Sequence, residues 1–235
     1  VSTGRFASLN FSWKWPEPGC GADENHRLLA LHEGYRREKL YLVRQSHGND
    51  GVCCDDCSPA QTLRVAADYL VCARVAHVCA VITADCVPVL LWEPQARCVA
   101  AVHSGWRGTL ADVVGVAVTD LQTRYGAESA RMRVAVGPHI GPCCFEVGED
   151  VAQRFESVFG RGAAGPAGLV HRHSSTRPHV DLAAAIGSQL AARSIQSENI
   201  EWLNPCTYCD GERFYSYRRD GIPVGQHMSF IGLRG

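Results

Sequence analysis

Three short segments of this sequence each end an apolar run in a cluster of reactive side chains. They are Gln45-Ser46-His47-Gly48, Thr83-Ala84-Asp85-Cys86-Val87-Pro88 and Val102-His103-Ser104-Gly105-Trp106-Arg107-Gly108. Side chains at strand ends, next to glycine-containing turns, can converge on one cleft. His47, Cys86 and His103 would then supply two imidazoles and a thiolate, a donor set that suits zinc. Three protein ligands leave a fourth position for water or substrate, which is the catalytic rather than the structural arrangement. The three residues lie far apart in the chain, so spacing alone leaves open that they are unrelated core or surface residues. A different chemistry on the same residues makes Cys86 a nucleophile, His103 its base and Asp85 the group that orients the pair.

Groups suited to an anion stand close by. Arg44 and Arg107 flank the candidate ligands, and a guanidinium fork fits phosphate, although surface ion pairing is the plainer role. The stretch from Gly137 to Gly148 carries two Gly-Pro pairs, which force a tight and irregular path. Backbone N–H groups there, that of Gly141 among them, can face a ligand, and the helix expected over 149–159 would add its N-terminus. A rigid turn is the alternative. Cys143 and Cys144, inside this stretch, have no clear base beside them in sequence and are expected to be structural or cleft-lining. Two further cysteine groups, Cys53-Cys54-Asp55-Asp56-Cys57 and Cys206-Thr207-Tyr208-Cys209, would make a structural site only if a second half met them. The first group is read as reduced turn cysteines. His171, His173 and His179 sit beside Arg172 and Arg177 and read as a solvated loop.

The elements that must position these groups are short. Apolar runs bounded by polar, Gly or Pro residues predict strands at 40–45, 78–83, 98–102 and 133–136. Leu110, Val113, Val114, Val118 and Leu121 recur near helical spacing and predict a helix over 109–124 that stops before Gly126. Helices are also expected at 149–159 and 181–193, the latter capped by Asp181. Gly160 to Gly168 reads as a surface loop. Interleaved strands and helices give a mixed α+β class, expected as one compact domain over residues 1–235 with mixed sheets flanked by helices. The chain is 46% hydrophobic and 20% charged, with a formal net charge of −1. That composition fills a core, excludes wholesale disorder and offers no basic footprint for nucleic acid. No apolar run approaches the roughly 18 residues of a membrane span, and no signal peptide is recognisable. The twelve cysteines, several inside apolar runs, are therefore expected to be reduced in a cytoplasmic protein. The residues specify no oligomeric state.

At these motifs the chain resembles the YfiH family, also called laccase-domain or multicopper polyphenol oxidoreductase proteins. The resemblance runs nearly end to end. It rests on SerThrGlyArgPheAlaSerLeuAsn near the start, ArgGlnSerHisGly, ThrAlaAspCysValProValLeuLeu, ValHisSerGlyTrpArgGly, GlyProHisIleGlyProCysCysPheGluValGly, and CysThrTyrCys followed by PheTyrSerTyrArgArgAsp. Several such motifs in order are far more specific than any one. The resemblance implies a compact α/β domain and zinc ligands at His47, Cys86 and His103. It implies phosphorolysis of purine nucleosides with phosphate, with adenosine deamination as a second activity. The substrate is then a small molecule, not nucleic acid or membrane. The usual zinc deaminase signature, His-x-Glu with Pro-Cys-x-x-Cys, is absent, so deamination would use a different constellation.

Three departures from the family pattern stand out. The first residues match a point just inside the usual start, so a leading strand is expected to be missing. Ile186 stands where Asn is common, and Gln226 where Arg is common; each is expected to alter packing or substrate contacts. The multicopper label does not follow from the residues. Blue-copper sites want a weak axial ligand such as Met, and laccase chemistry wants a further multi-histidine cluster, whereas the chain has two Met and one His-x-His pair, His171 and His173. A copper-dependent phenol oxidase remains an alternative, with copper in place of zinc, and so does a Cys86-dependent hydrolase acting on cell-wall peptides.

Overall fold

The structure, a computed structural model, describes residues 9–14, 21–160, 168–172 and 177–234. Residues 2–8 of the first family-like motif, His173, and most of the loop expected at 160–168 lie outside the described residues. In chain order the elements are α1 (Ala22–Glu33), β1 (Leu40–Tyr41), β2 (Gly51–Cys53), α2 (Pro59–Thr62), β3 (Tyr69–Cys72), β4 (Val78–Thr83), β5 (Val87–Glu93), β6 (Cys98–Ser104), α3 (Trp106–Leu110), α4 (Val113–Tyr125), β7 (Arg133–Val136), α5 (Glu149–Phe159), β8 (Val170–His171), β9 (His179–Val180), α6 (Leu182–Ala192), β10 (Ile200–Trp202), α7 (Tyr217–Asp220) and β11 (His227–Gly232).

The fold is a mixed α+β architecture of stacked layers. A six-stranded sheet runs β10-β7-β5-β6-β3-β2, a three-stranded sheet runs β1-β4-β11, and β8 pairs with β9. Both larger sheets mix parallel and antiparallel pairs: β3 is antiparallel to β6 but parallel to β2, and β4 is parallel to β1 but antiparallel to β11. Side chains alternate across each strand. On β6, Cys98, Ala100 and Val102 enter a core shared with Val114, Val118 and Leu121 of α4, Phe155 of α5 and Ile186 of α6. Val99 and Ala101 face the other way and pack with Cys79 and Val81 of β4. Val78, Ala80 and Ile82 of β4 then meet Phe11, Leu40 and Leu42, with Leu29 of α1 against them. The order is helices, six-stranded sheet, three-stranded sheet, helix. With both faces covered, the inner strands read as continuous apolar runs, as strands buried on both sides must.

Several expectations are met and several need correction. The strands at 78–83 and 133–136 have those bounds, and 98–102 extends to Ser104. Helix α5 spans 149–159, and the Asp181 carboxylate accepts the Ala184 N–H at 2.9 Å at the start of α6. The strand expected at 40–45 pairs in a sheet only over Leu40–Tyr41; Arg44 bonds instead through its backbone to Val65 and Ala67. The helix expected at 109–124 is two helices. Asp112 adopts a left-handed φ of 58° between them, and Arg193 Nη2 donates to its carboxylate at 2.6 Å. Apolar periodicity carries through this break because both helices pack on the same core, so the pattern hides it. Strands β3, β5 and β11 and helix α1 had no separate signal. Pro88 argues against a central strand, yet it sits second in β5, opposite His103, whose N–H is taken by the Asp68 carbonyl at 2.7 Å. No helix among the described residues is long and apolar enough to cross a membrane.

Two histidines are locked into this packing as neutral rings. Burial pushes His26 down to about 4, although the Phe11 carbonyl partly opposes the shift. Burial also takes His227 down to about 4, against a bond to the Thr83 backbone, while its Nε2 accepts the Tyr215 N–H at 2.9 Å. Both folded values lie below the ordinary 6.5, so the unfolded chain takes up protons first as pH falls. The stability these neutral rings confer is complete above pH about 6.5 and is lost progressively toward about 4, on the order of 2–3 kcal/mol for each ring. The urea midpoint should therefore drop over that window. A midpoint unchanged between pH about 7 and about 4.5 would show that the folded chain protonates both rings freely.

Candidate active site

His103, Cys86 and His47 reach one point from three different places. His103 is the penultimate residue of β6, Cys86 immediately precedes β5, and His47 lies in the connection between β1 and β2. Because β5 and β6 are antiparallel neighbours with Val87 opposite Ser104, the start of one and the end of the other coincide. The ligating atoms of the three residues lie within 4.8 Å of one another. The two imidazoles meet edge to face, with centroids 4.8 Å apart.

A buried carboxylate that the sequence reading did not single out assembles this group. Asp68, at the mouth of β3, has no exposed surface. Its carboxylate accepts His103 Nδ1 at 2.8 Å, Ser46 Oγ at 2.8 Å, and the backbone N–H groups of His47 at 2.9 Å and Gly48 at 2.6 Å. Burial raises its pKa, but the bonds from His103, Ser46 and Gly48 outweigh burial and hold it at about 2. With Nδ1–H committed to Asp68, His103 presents Nε2 to Cys86, the tautomer a metal ligand needs. His47 sits at a left-handed φ of 63°, a conformation that costs a non-glycine residue of order 1 kcal/mol or more and persists where the surroundings impose it. Here the two N–H bonds to Asp68 impose it. Gly105 completes the approach: a Cβ there would fall 2.9 Å from His47 Cδ2 and 3.1 Å from Cys86 Sγ.

Electrostatics couple the thiol to its neighbour. Burial raises the Cys86 thiol, but the charge and hydrogen bond of His103, followed by those of His47, bring it down to about 6. Burial lowers His103, yet Cys86 and Asp68 raise it to about 9. The result is an anionic sulfur facing an imidazole backed by a carboxylate. Two imidazoles and a thiolate with their outer partner in place fit a zinc-type ligand set.

The remaining site candidates fall in several places. Asp85 is strained, with φ of 90°, but it does not orient Cys86 and His103. Its carboxylate accepts Thr207 Oγ1 at 2.7 Å and the Arg218 N–H at 2.7 Å, and its carbonyl accepts the Ile140 N–H. Arg44 and Arg107 both line a cleft of about 1050 Å³ that opens over His47, Cys86 and His103. Lys14, Arg177 and Arg218, not foreseen from sequence, add further cations to its walls, and Trp13, Trp106, Phe145 and Tyr217 add aromatic surface. The Arg107 guanidinium lies 4.2 Å from the Trp106 ring centroid. Gly141 is not part of this lining; its N–H donates to Cys206 Sγ at 3.2 Å. Ile186 is fully buried and bears on packing, whereas Gln226 lines the cleft. Cys206 and Cys209 meet Cys143 and Cys144 rather than the 53–57 group. His171 and His179 face each other across β8 and β9.

Comparisons with known proteins bear on the family and the fold. A family model described as multi-copper polyphenol oxidoreductase laccase matches residues 1–234. Purine nucleoside phosphorylase LACC1 of Mus musculus is 31% identical over 97% of this chain, which spans only 52% of that protein's length. Adenosine deaminase RL5, from an unknown prokaryotic organism, is 33% identical over 87% of this chain and 78% of its own. The crystal structure of the hypothetical protein YfiH of Bacillus licheniformis superimposes with a TM-score of 0.89 at 26% identity, covering 97% of this chain and 87% of that one.

Asp68→Asn keeps the shape but removes the charge and one acceptor. Zinc affinity should fall roughly 10–100-fold, the usual cost of losing such an outer partner, in competition with a chromophoric chelator. Parent-like affinity in a folded variant would reduce Asp68 to scaffolding.

Proposed function

The chain belongs to the multi-copper polyphenol oxidoreductase laccase family, and from that premise we propose that it is a zinc-dependent purine nucleoside phosphorylase. The observation that carries the reading is the joining of the His47, Cys86 and His103 group to a cleft walled by five cationic side chains and by aromatic surface. Phosphorolysis needs a held phosphate beside an oriented nucleoside, and a cleft with cationic and aromatic walls can supply both. An oxygen of phosphate bonds to C1′ of the nucleoside as the C1′–N9 bond breaks, and the purine leaves with the bonding pair and takes up a proton. The products are free base and ribose-1-phosphate. Arg44 and Arg107 would hold the phosphate anion, with Arg177, Arg218 and Lys14 raising the local potential. Orientation in a cleft of this kind supplies much of the rate by placing the two reactants together. The aromatic walls would cover the faces of the purine. Held by His47, Cys86 and His103, zinc would supply a Lewis acid able to polarise an oxygen or lower the pKa of water.

Zinc suits the donors better than copper electron transfer does. Both methionines, Met132 and Met228, are buried in apolar cores. Among the described residues the other candidate metal group is four cysteines, not histidines. A deaminase side activity, replacing the amino group of adenosine with water's oxygen and releasing ammonia, draws on the same open position; a relative at 33% identity carries that name. One specific observation favours a rival. Cys86, His103 and Asp68 also form a thiolate–imidazole–carboxylate relay, as a Cys-dependent hydrolase would use. The third ligand, His47, has no role in that scheme. We place the enzyme in the cytoplasm, where its thiols would stay reduced.

Inosine or adenosine with phosphate should yield base and ribose-1-phosphate, and arsenate in place of phosphate should yield free ribose. A chelator should stop both, and removal of Cys86 by Cys86→Ala should stop both while costing one zinc per chain. Copper-dependent phenol oxidation without phosphorolysis, or amide cleavage that survives chelation and dies with Cys86→Ala, would replace this reading. Arg107→Lys keeps the charge but loses the two-pronged geometry. Its phosphate KM should rise several-fold with nucleoside KM little changed; an unaltered phosphate KM would return Arg107 to its stacking on Trp106.

A further inference from the structure

Outside the cleft, two segments distant in sequence bring four cysteines together. Cys143 and Cys144 come from the Gly-Pro stretch before α5, and Cys206 and Cys209 from the turn after β10. All four sulfurs lie within 4.8 Å of one another. Cys144 Sγ is 3.3 Å from Cys209 Sγ, and Cys143 Sγ is 3.7 Å from it. Four thiolates around zinc at about 2.3 Å stand roughly 3.8 Å apart at the corners of a tetrahedron, so the sulfurs already outline such a cage. A single disulfide would draw in two of them and leave no reason for the other two.

The backbone is shaped for the same purpose. His139 pairs with Cys206 as an isolated bridge, and the Thr207 N–H donates to the His139 carbonyl at 2.9 Å. The Gly141 N–H donates to Cys206 Sγ at 3.2 Å, the kind of bond that stabilises an anionic sulfur. Gly141 permits the approach, since a Cβ there would lie 3.3 Å from Cys143 Sγ and 3.4 Å from Cys206 Cβ. On the far side of the turn, Arg219 Nη1 donates to the carbonyls of Thr207 at 2.8 Å and Tyr208 at 3.0 Å, fixing the two residues between Cys206 and Cys209. Cys206-Thr207-Tyr208-Cys209 is thus a C-x-x-C turn braced from both ends, with its second half supplied by an adjacent Cys-Cys pair.

We propose that Cys143, Cys144, Cys206 and Cys209 form a second, structural zinc site, closed by four thiolates and distinct from the His47, Cys86 and His103 group. Its role is to staple the wall of the cleft. The Gly-Pro stretch it anchors supplies Ile140, Phe145 and Val147 to the cleft lining, and Thr207, inside the C-x-x-C turn, holds the Asp85 carboxylate next to Cys86. Metal in the four-cysteine cage therefore fixes the surface on which substrate lies without touching it.

The test counts metal in protein purified under reducing conditions. The parent should hold two zinc per chain, Cys86→Ala one, Cys209→Ser one, and the double variant none. Cobalt added to metal-stripped Cys86→Ala should give the strong visible and thiolate charge-transfer bands of a tetrathiolate. Cys209→Ser should also lower the thermal midpoint and raise nucleoside KM, while keeping cobalt binding at the His47, Cys86 and His103 group. A folded Cys86→Ala protein that binds no zinc or cobalt overturns the proposal, as does Cys209→Ser with parent stoichiometry. An intact mass showing a Cys144–Cys209 disulfide in the reduced preparation overturns it too and makes the cluster a redox pair. If Cys209→Ser does not fold, the cobalt spectrum of Cys86→Ala decides alone.

Discussion

The Asp68 carboxylate, sealed from solvent, is the constraint on which the site depends. A buried anion without partners is costly, and this one is tolerated because it collects bonds from His103 Nδ1, Ser46 Oγ and the N–H groups of His47 and Gly48. Those bonds join two pieces of chain that no sheet connects directly. The loop carrying His47 is folded back around the carboxylate, and the end of β6 is held to it both by the His103 side chain and by its own N–H on the Asp68 carbonyl. One charge therefore sets the tautomer of one imidazole and the backbone conformation of the other.

The layered fold makes that arrangement affordable in stability terms. Burying both faces of the six-stranded sheet, by α4 to α6 on one side and by the three-stranded sheet on the other, fixes the register of β3, β5 and β6. Once Val87 is opposite Ser104 and Tyr69 opposite Val102, the residues just before β3 and β5 and the end of β6 must lie side by side. The reactive groups come together there because the strands run in alternating directions. The turns between them are free to carry chemistry while the strands carry stability.

Much of this was legible in the residues, and the rest was not for identifiable reasons. His47, Cys86 and His103 stand out in the sequence because each sits in a dense local motif, and strands 78–83 and 133–136 because they are isolated apolar runs. Asp68 was not seen, because a lone Asp ahead of TyrLeuValCys carries no motif. The available signal was a charge set between Ala67 and an unbroken apolar strand, which demands a partner. Adjacency to Cys86 suggests Asp85 as the orienting group, but its carboxylate, on a backbone at φ of 90°, accepts from Thr207 and Arg218 instead. The break at Asp112 was invisible because hydrophobic period reports the packed face, not backbone continuity. The meeting of Cys206 and Cys209 with Cys143 and Cys144 depends on a bridge between residues 139 and 206, which no local pattern encodes.

The Cys86, His103 and Asp68 relay satisfies a nucleophile as well as it satisfies a ligand, so the relay alone does not choose between hydrolysis and metal chemistry. His47 does. Its ring lies edge-on to His103 at 4.8 Å, its φ is held in the left-handed region, and Gly105 is required to leave room for it beside Cys86 Sγ. A two-residue nucleophilic pair gains nothing from a second imidazole at that point, and would be better served by space for an acyl group. Three donors crowded within 4.8 Å, one of them at a backbone cost that only the Asp68 bonds offset, make sense when a cation draws them together. Such a cation would be offset by the Cys86 thiolate and the Asp68 carboxylate, so the positive potential over the site would come from the arginines and Lys14 of the cleft wall. An anionic co-substrate such as phosphate is what that field would gather.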